Sequence, residues 1–132
     1  EMPVYEFEIN AKLPSLNEYV AACRSHWSNG AKFKQSIENL IGWSINSAKA
    51  SGKIKAIDFP SELFIIWHEK TMKRDCDNIQ SAQKFILDAL QKCGIIKNDS
   101  QKYIAQIYHK IVSDKRDFVE VKLKAVGGEN HV

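Results

Sequence analysis

Tyr5, Phe7 and Ile9 alternate with Glu6 and Glu8 near the start of the chain. That two-residue period predicts a strand with one buried face. Pro14 and Ser15 open the stretch "LNEYVAACRSH", with Ser15 placed to cap a short helix. The period becomes helical in "NGAKFKQSIENLIGWSINSAKASG". There Phe33, Ile37, Leu40, Ile41, Ile45 and Ala48 share one side, and Gly52 stands where the helix must stop. "SELFIIWHE" is almost continuously apolar and short, which predicts a central strand. Ile79, Ala82, Phe85, Ile86, Ala89 and Leu90 define the buried side of a second helix over residues 77–92, with Gly94 just past its end. "YIAQIYHKIV" and "FVEVKLKAV" read as two further strands, and "SDKRD" between them as a hairpin connection. The last strand sets Val119, Val121, Leu123 and Ala125 against Glu120, Lys122 and Lys124, so its polar face should meet solvent.

The order strand, helix, helix, strand, helix, strand, strand predicts an α+β fold. Its simplest form is a two-layer α/β sandwich, a mixed sheet with helices packed mainly on one face. No repeat, low-complexity tract or Pro/Gly/Ser-rich linker divides the sequence, so residues 2–126 read as a single domain and 127–132 as a mobile tail.

Composition narrows this picture only slightly. Of 132 residues, 44% are apolar and 27% charged, ordinary values for a globular protein. No run approaches the roughly 18 apolar residues of a membrane helix, and the N-terminus has no signal-peptide hydrophobic region. Cys23, Cys76 and Cys93 are an odd number without CxxC spacing, which favours reduced thiols and a cytoplasmic location. A net charge of +3 permits a polyanionic partner without requiring one.

The stretch "KRDCDNIQSAQKFILDALQKCGIIKNDSQKY" carries the candidate chemistry. Asp75 and Asp77 stand two residues apart where the apolar strand has ended, so on extended backbone both carboxylates point to one side. Asp99 follows beyond the helix and its glycine. Carboxylates gathered this way repel unless a cation joins them, and oxygen-only donors suit Mg²⁺ or Mn²⁺. The plainer reading makes Asp77 a helix N-cap and the DxD an accident of composition. Lys84 lies two helical turns after Asp77 on nearly the same face, able to hold a phosphate or simply to pair with Asp88. His68 reads as a hydrogen-bonded strand residue rather than a ligand.

These elements, in order, resemble the RusA family of Holliday-junction resolvases of phages and prophages. The family pattern is D-x-D-N, a helix carrying K-x-x-x-D-A-L, a glycine and a paired D-D in the next loop. Asp75, Asp77 and Asn78 match the first element, Lys84, Asp88, Ala89 and Leu90 the second, Gly94 the third, and Asp99 the second acid of the pair. Asn98 stands where many members have the other acid, and the segment between Asn78 and Lys84 is about three residues longer than in the founding members.

The resemblance implies a homodimeric, Mg²⁺-dependent endodeoxyribonuclease of DNA recombination and repair, in which Mn²⁺ can substitute. It would nick opposed strands of a four-way DNA junction symmetrically, leaving 5′-phosphate and 3′-hydroxyl ends. Asp75, Asp77 and Asp99 would be the metal ligands and, with Lys84, the catalytic residues. Arg24, Lys32, Lys34, Lys73 and Arg74 are the candidate DNA-binding residues. The segment from Arg24 to Lys34 reads as a mobile basic loop between helices, with Trp27 either stacking on an exposed base or tucked into the core. Rival readings are a non-catalytic DNA-binding protein, a nuclease for other branched DNA, and a sugar-nucleotide transferase, the last disfavoured by the short chain.

Overall fold

The structure is a computed structural model, and it describes residues 4–126, apart from the side chain of Trp27. The expected tail at 127–132 and the role weighed for Trp27 fall outside the described residues. The elements are β1 (Val4–Ile9), α1 (Leu16–Ser25), α2 (Trp27–Ala50), β2 (Ser61–Glu69), α3 (Cys76–Gln80), α4 (Gln83–Lys92), β3 (Ile104–Ser113) and β4 (Phe118–Ala125).

Local sequence explains most boundaries. Ser15 and Glu18 form a capping box at α1: the serine hydroxyl accepts from the Glu18 N–H at 3.2 Å, and the glutamate accepts from the Ser15 N–H at 2.6 Å. α2 and α4 end in Schellman turns, which need a residue at positive φ. Gly52 (φ 79°) and Gly94 (φ 76°) supply it. After α4, Gly94 N–H bonds the Gln91 carbonyl and Ile95 N–H the Leu90 carbonyl.

The four strands form one mixed sheet in the order β1-β4-β2-β3. β1 and β2 each pair antiparallel with β4, whereas β2 and β3 run parallel. In β2, Leu63, Ile65 and Trp67 are buried on one face. They join Ile37, Ile41 and Ile45 of α2 and Phe85, Ile86 and Leu90 of α4 in a single core cluster. Each such side chain contributes about 1.5–3 kcal/mol when removed from water. Among the described residues no helix covers the opposite face, where Phe64 stacks on Tyr108 at 4.7 Å, as an α+β two-layer arrangement predicts.

Three sequence expectations are corrected. β3 and β4 do not form a hairpin, because β2 lies between them. β2 is the most continuously apolar strand, so placing it centrally with both edges paired buries the most surface. The helix expected over 77–92 is two, α3 and α4, broken at Ser81 and Ala82. There the Ser81 hydroxyl donates back to the Asn78 carbonyl (2.8 Å) and accepts from the Leu16 N–H (3.1 Å), tying the break to α1. The basic segment from Arg24 to Lys34 is not a loop. α1 and α2 meet at His26, which is extended and whose ring accepts from the Ser28 N–H at 3.2 Å. Gly30 permits the tight corner, since a Cβ there would lie 2.4 Å from the Cys23 sulfur.

Candidate active site

β2 delivers the chain to the first two acids. Asp75 is the N-cap residue of α3, extended at φ −67° and ψ 153°, and its carboxylate makes no cap hydrogen bond. Asp77, expected at the cap, lies instead inside the first turn. Both side chains are exposed, as is Cys76 between them. Two exposed carboxylates close in sequence, one of them free of a capping duty, fit as part of a site for a hard divalent cation.

The turn beneath them is held from inside. Glu69 is the last residue of β2 and continues the inward phase of Leu63, Ile65 and Trp67, leaving it 5% exposed. A buried carboxylate needs a partner, and Arg74 supplies a two-pronged one. Its Nε donates to Oε1 at 3.2 Å and its Nη2 to Oε2 at 2.7 Å. The remaining arm, Nη1, donates to the Leu13 carbonyl at 2.9 Å. Arg74 was a candidate phosphate contact, but its guanidinium is engaged inside the fold. Sequence reasoning passed over Glu69, although a charge on the buried phase of a strand with an arginine five residues later was a signal.

Asp99 is elsewhere. It is exposed in the turn before β3, where Asn98 Oδ1 accepts from the Ser100 N–H at 2.9 Å. Asn98, which stands where the family pattern has an acid, is thus a turn-former here. Because β2 and β3 are parallel with Ser61 opposite Ile104 and Glu69 opposite Ser113, the Asp75 turn and the Asp99 turn occupy opposite ends of the sheet. A nine-residue strand spans roughly 27–30 Å. Among the described residues, no three His, Cys, Asp or Glu side chains are grouped to hold a metal ion. One chain therefore does not gather the three expected ligands.

Lys84, in the first turn of α4, is 63% exposed, and its Nζ lies 3.8 Å from Asp88, the surface pair foreseen as the alternative. It shares a shallow groove between α2 and α4 with Lys34 and Lys92, so two of the expected basic residues do come together. Lys92 is bound to Glu38 at 2.9 Å. Arg24, Lys32 and Lys73 are exposed, the first two on the α1–α2 corner and the third beside Asp75.

Two histidines are structural. His68 bridges Asp114 (2.8 Å) and Glu120 (2.6 Å) on the open face of the sheet and stacks on Phe118. The Lys115 N–H, followed by His68, holds the Asp114 carboxyl below the usual range. His109 Nδ1 lies 3.0 Å from the Trp67 indole N–H and its Nε2 2.8 Å from Gln83 Oε1. That pattern makes Nδ1 the acceptor and Nε2 the donor, a neutral ring, and burial lowers its pKa.

With this geometry in view, the family comparison decides the assignment: the endodeoxyribonuclease RusA model matches residues 6–124. The chain belongs to the RusA family. The match takes in all or most of every strand and helix of the fold, from within β1 to near the end of β4. No curated protein matches the chain. RusA membership makes the chain an endodeoxyribonuclease, with DNA as its substrate. No helix among the described residues is long and apolar enough to cross a membrane.

Proposed function

We propose that this RusA-family nuclease resolves four-way DNA junctions as a homodimer, nicking two opposed strands to leave 5′-phosphate and 3′-hydroxyl ends in the cytoplasm of a bacterial host. The observation that carries the reading is the exposed Asp75 carboxylate, free of any cap hydrogen bond, with exposed Asp77 two residues on, in the turn beyond β2 and within the residues matched to an endodeoxyribonuclease family. Asp75 and Asp77 would hold Mg²⁺, or Mn²⁺ in its place, together with an Asp99 carboxylate. When bound, such an ion lowers the pKa of a coordinated water and offsets charge developing at the scissile phosphate.

The sheet topology supports a dimeric site. A two-fold axis perpendicular to β2 and β3 reverses strand direction in the partner. With the axis close to the edge strand β3, it would set the end bearing Asp99 of the partner subunit beside the Asp75 turn of the first. Two such sites related by the axis match the two-fold symmetry of a junction. Lys84 and Lys34 bind phosphate oxygens along the α2–α4 groove, while Arg24, Lys32 and Lys73 contact the flanking backbone.

A synthetic four-way junction tests the reading. Wild-type protein cuts it in Mg²⁺, and Asp75→Asn binds it with unchanged affinity but does not cut. Normal cutting by that variant removes Asp75 from the metal site. Equal cutting of plain duplex removes the junction preference.

A further inference from the structure

We propose that Glu69 is a positioning residue for the metal-binding acids, acting through Arg74. The inference rests on the metal-nuclease reading above. Residues 70–73 bulge from the end of β2 and are exposed, so they have little packing of their own. The loop is closed by the Glu69–Arg74 fork at its base, with contacts of 3.2 and 2.7 Å. The third prong, to the Leu13 carbonyl, fixes the same guanidinium to the segment leading into α1.

Arg74 is covalently followed by Asp75. Fixing its side chain in three directions fixes the start of the next residue, and with it the extended backbone that aims the Asp75 carboxylate outward. Planar bidentate pairing has one favourable arrangement, which a lysine, as a point charge, does not impose. The carboxylates of Asp75 and Asp77 repel each other before a cation arrives. A turn held from beneath keeps them together in that state, so the fork acts on metal affinity. Its partners lie inside the fold, with only 15% of the Arg74 side chain and 6% of the Glu69 side chain exposed. This assigns Arg74 to aiming an acid and leaves phosphate contact to the exposed lysines.

The test uses the full chain with two variants. Glu69→Gln keeps the size of the side chain and removes its charge. Arg74→Lys keeps the charge and removes the fork. Mn²⁺ binding is followed through the EPR signal of the free ion, junction cutting is titrated with Mg²⁺, and junction binding is measured without metal. Expected is a roughly 10- to 100-fold loss of Mn²⁺ affinity and an equal rise in the half-activating Mg²⁺ concentration. Junction affinity without metal and its salt dependence should stay at wild-type values. Should Glu69→Gln fail to fold, Arg74→Lys decides alone. Unchanged Mn²⁺ affinity in folded variants overturns the proposal. So does weaker metal-free junction binding in Arg74→Lys with Mn²⁺ affinity unchanged, the mark of a lost bidentate phosphate contact. Failure of the wild type to bind Mn²⁺ or to cut overturns the metal reading itself.

Discussion

Mixing two inactive variants tests whether the nuclease site is shared between subunits. The perturbations are Asp75→Asn and Asp99→Asn, both at exposed positions and therefore expected to fold. A Mg²⁺ ion draws its oxygen ligands to about 2.0–2.1 Å. Against that reach, the two turns stand at opposite ends of a nine-residue strand, roughly 27–30 Å long. No side-chain rearrangement closes such a gap, but the reversed second copy of the proposed dimer would. In a mixed dimer of the two variants, one site carries both substitutions and the other carries neither. Random exchange at equal concentrations makes half of the dimers mixed, so the nicking rate should recover to roughly a quarter of wild type. The product should also change: one intact site leaves a junction nicked on a single strand. The assay is a strand-labelled junction resolved on denaturing and native gels, with differently tagged subunits to show that mixed dimers form. Mixed dimers that stay as inactive as their parents would refute the shared site and the topological argument behind it.

Arg74→Ala leaves the Glu69 carboxylate buried without its partner and should cost about 3–5 kcal/mol, read as a lower midpoint in chemical denaturation. A loss under about 1 kcal/mol would mean that solvent already reaches the pair. Junction affinity should fall steeply between 50 and 200 mM salt, and replacing Lys32 and Lys34 with Gln should reduce the log–log slope by about one per lost phosphate contact; an unchanged slope places the DNA elsewhere. His109 is held neutral by burial, so its contribution is complete above the ordinary histidine range and is lost as pH falls through it, where the unfolded chain takes the proton first. Asp114 is lowered too, but from the carboxylate range, so its contribution is lost only further down, as pH falls below that range. Thermal melts from pH 8 to 5 should therefore fall in the wild type and flatten in His109→Gln; parallel curves would remove His109 from the account.

The elements were legible because each is a local pattern. Alternation in "VYEFEIN" and "FVEVKLKAV", the helical stripe from Phe33 to Ala48, the Ser15 cap and the glycines at 52 and 94 all act within a few residues. What failed depends on partners distant in the chain. The turn between β3 and β4 suggests a hairpin, yet β4 pairs with β1 and β2 because burial rather than proximity selects neighbours. The single helix expected over 77–92 breaks where Ser81 bonds Leu16, a contact that periodicity does not contain. Candidate acids could be named from the DxD and its flanks. Their separation could not, since it follows from β2 and β3 being parallel, a property of the pairing and not of either strand.

α1 has no fully buried residue. Beyond its packing on α2, its anchors are the half-buried Leu16 and Tyr19, the latter edge-on to Phe85 at 5.9 Å, and two bonds to the acid-bearing turn, Leu16 N–H to Ser81 and Asn17 to Asn78. A helix fastened this way should breathe together with the turn that fastens it. Amide hydrogen exchange at residues 16–25 and 75–81 should then share one opening rate, and a ligand that quiets the aspartates should quiet a helix that it never touches.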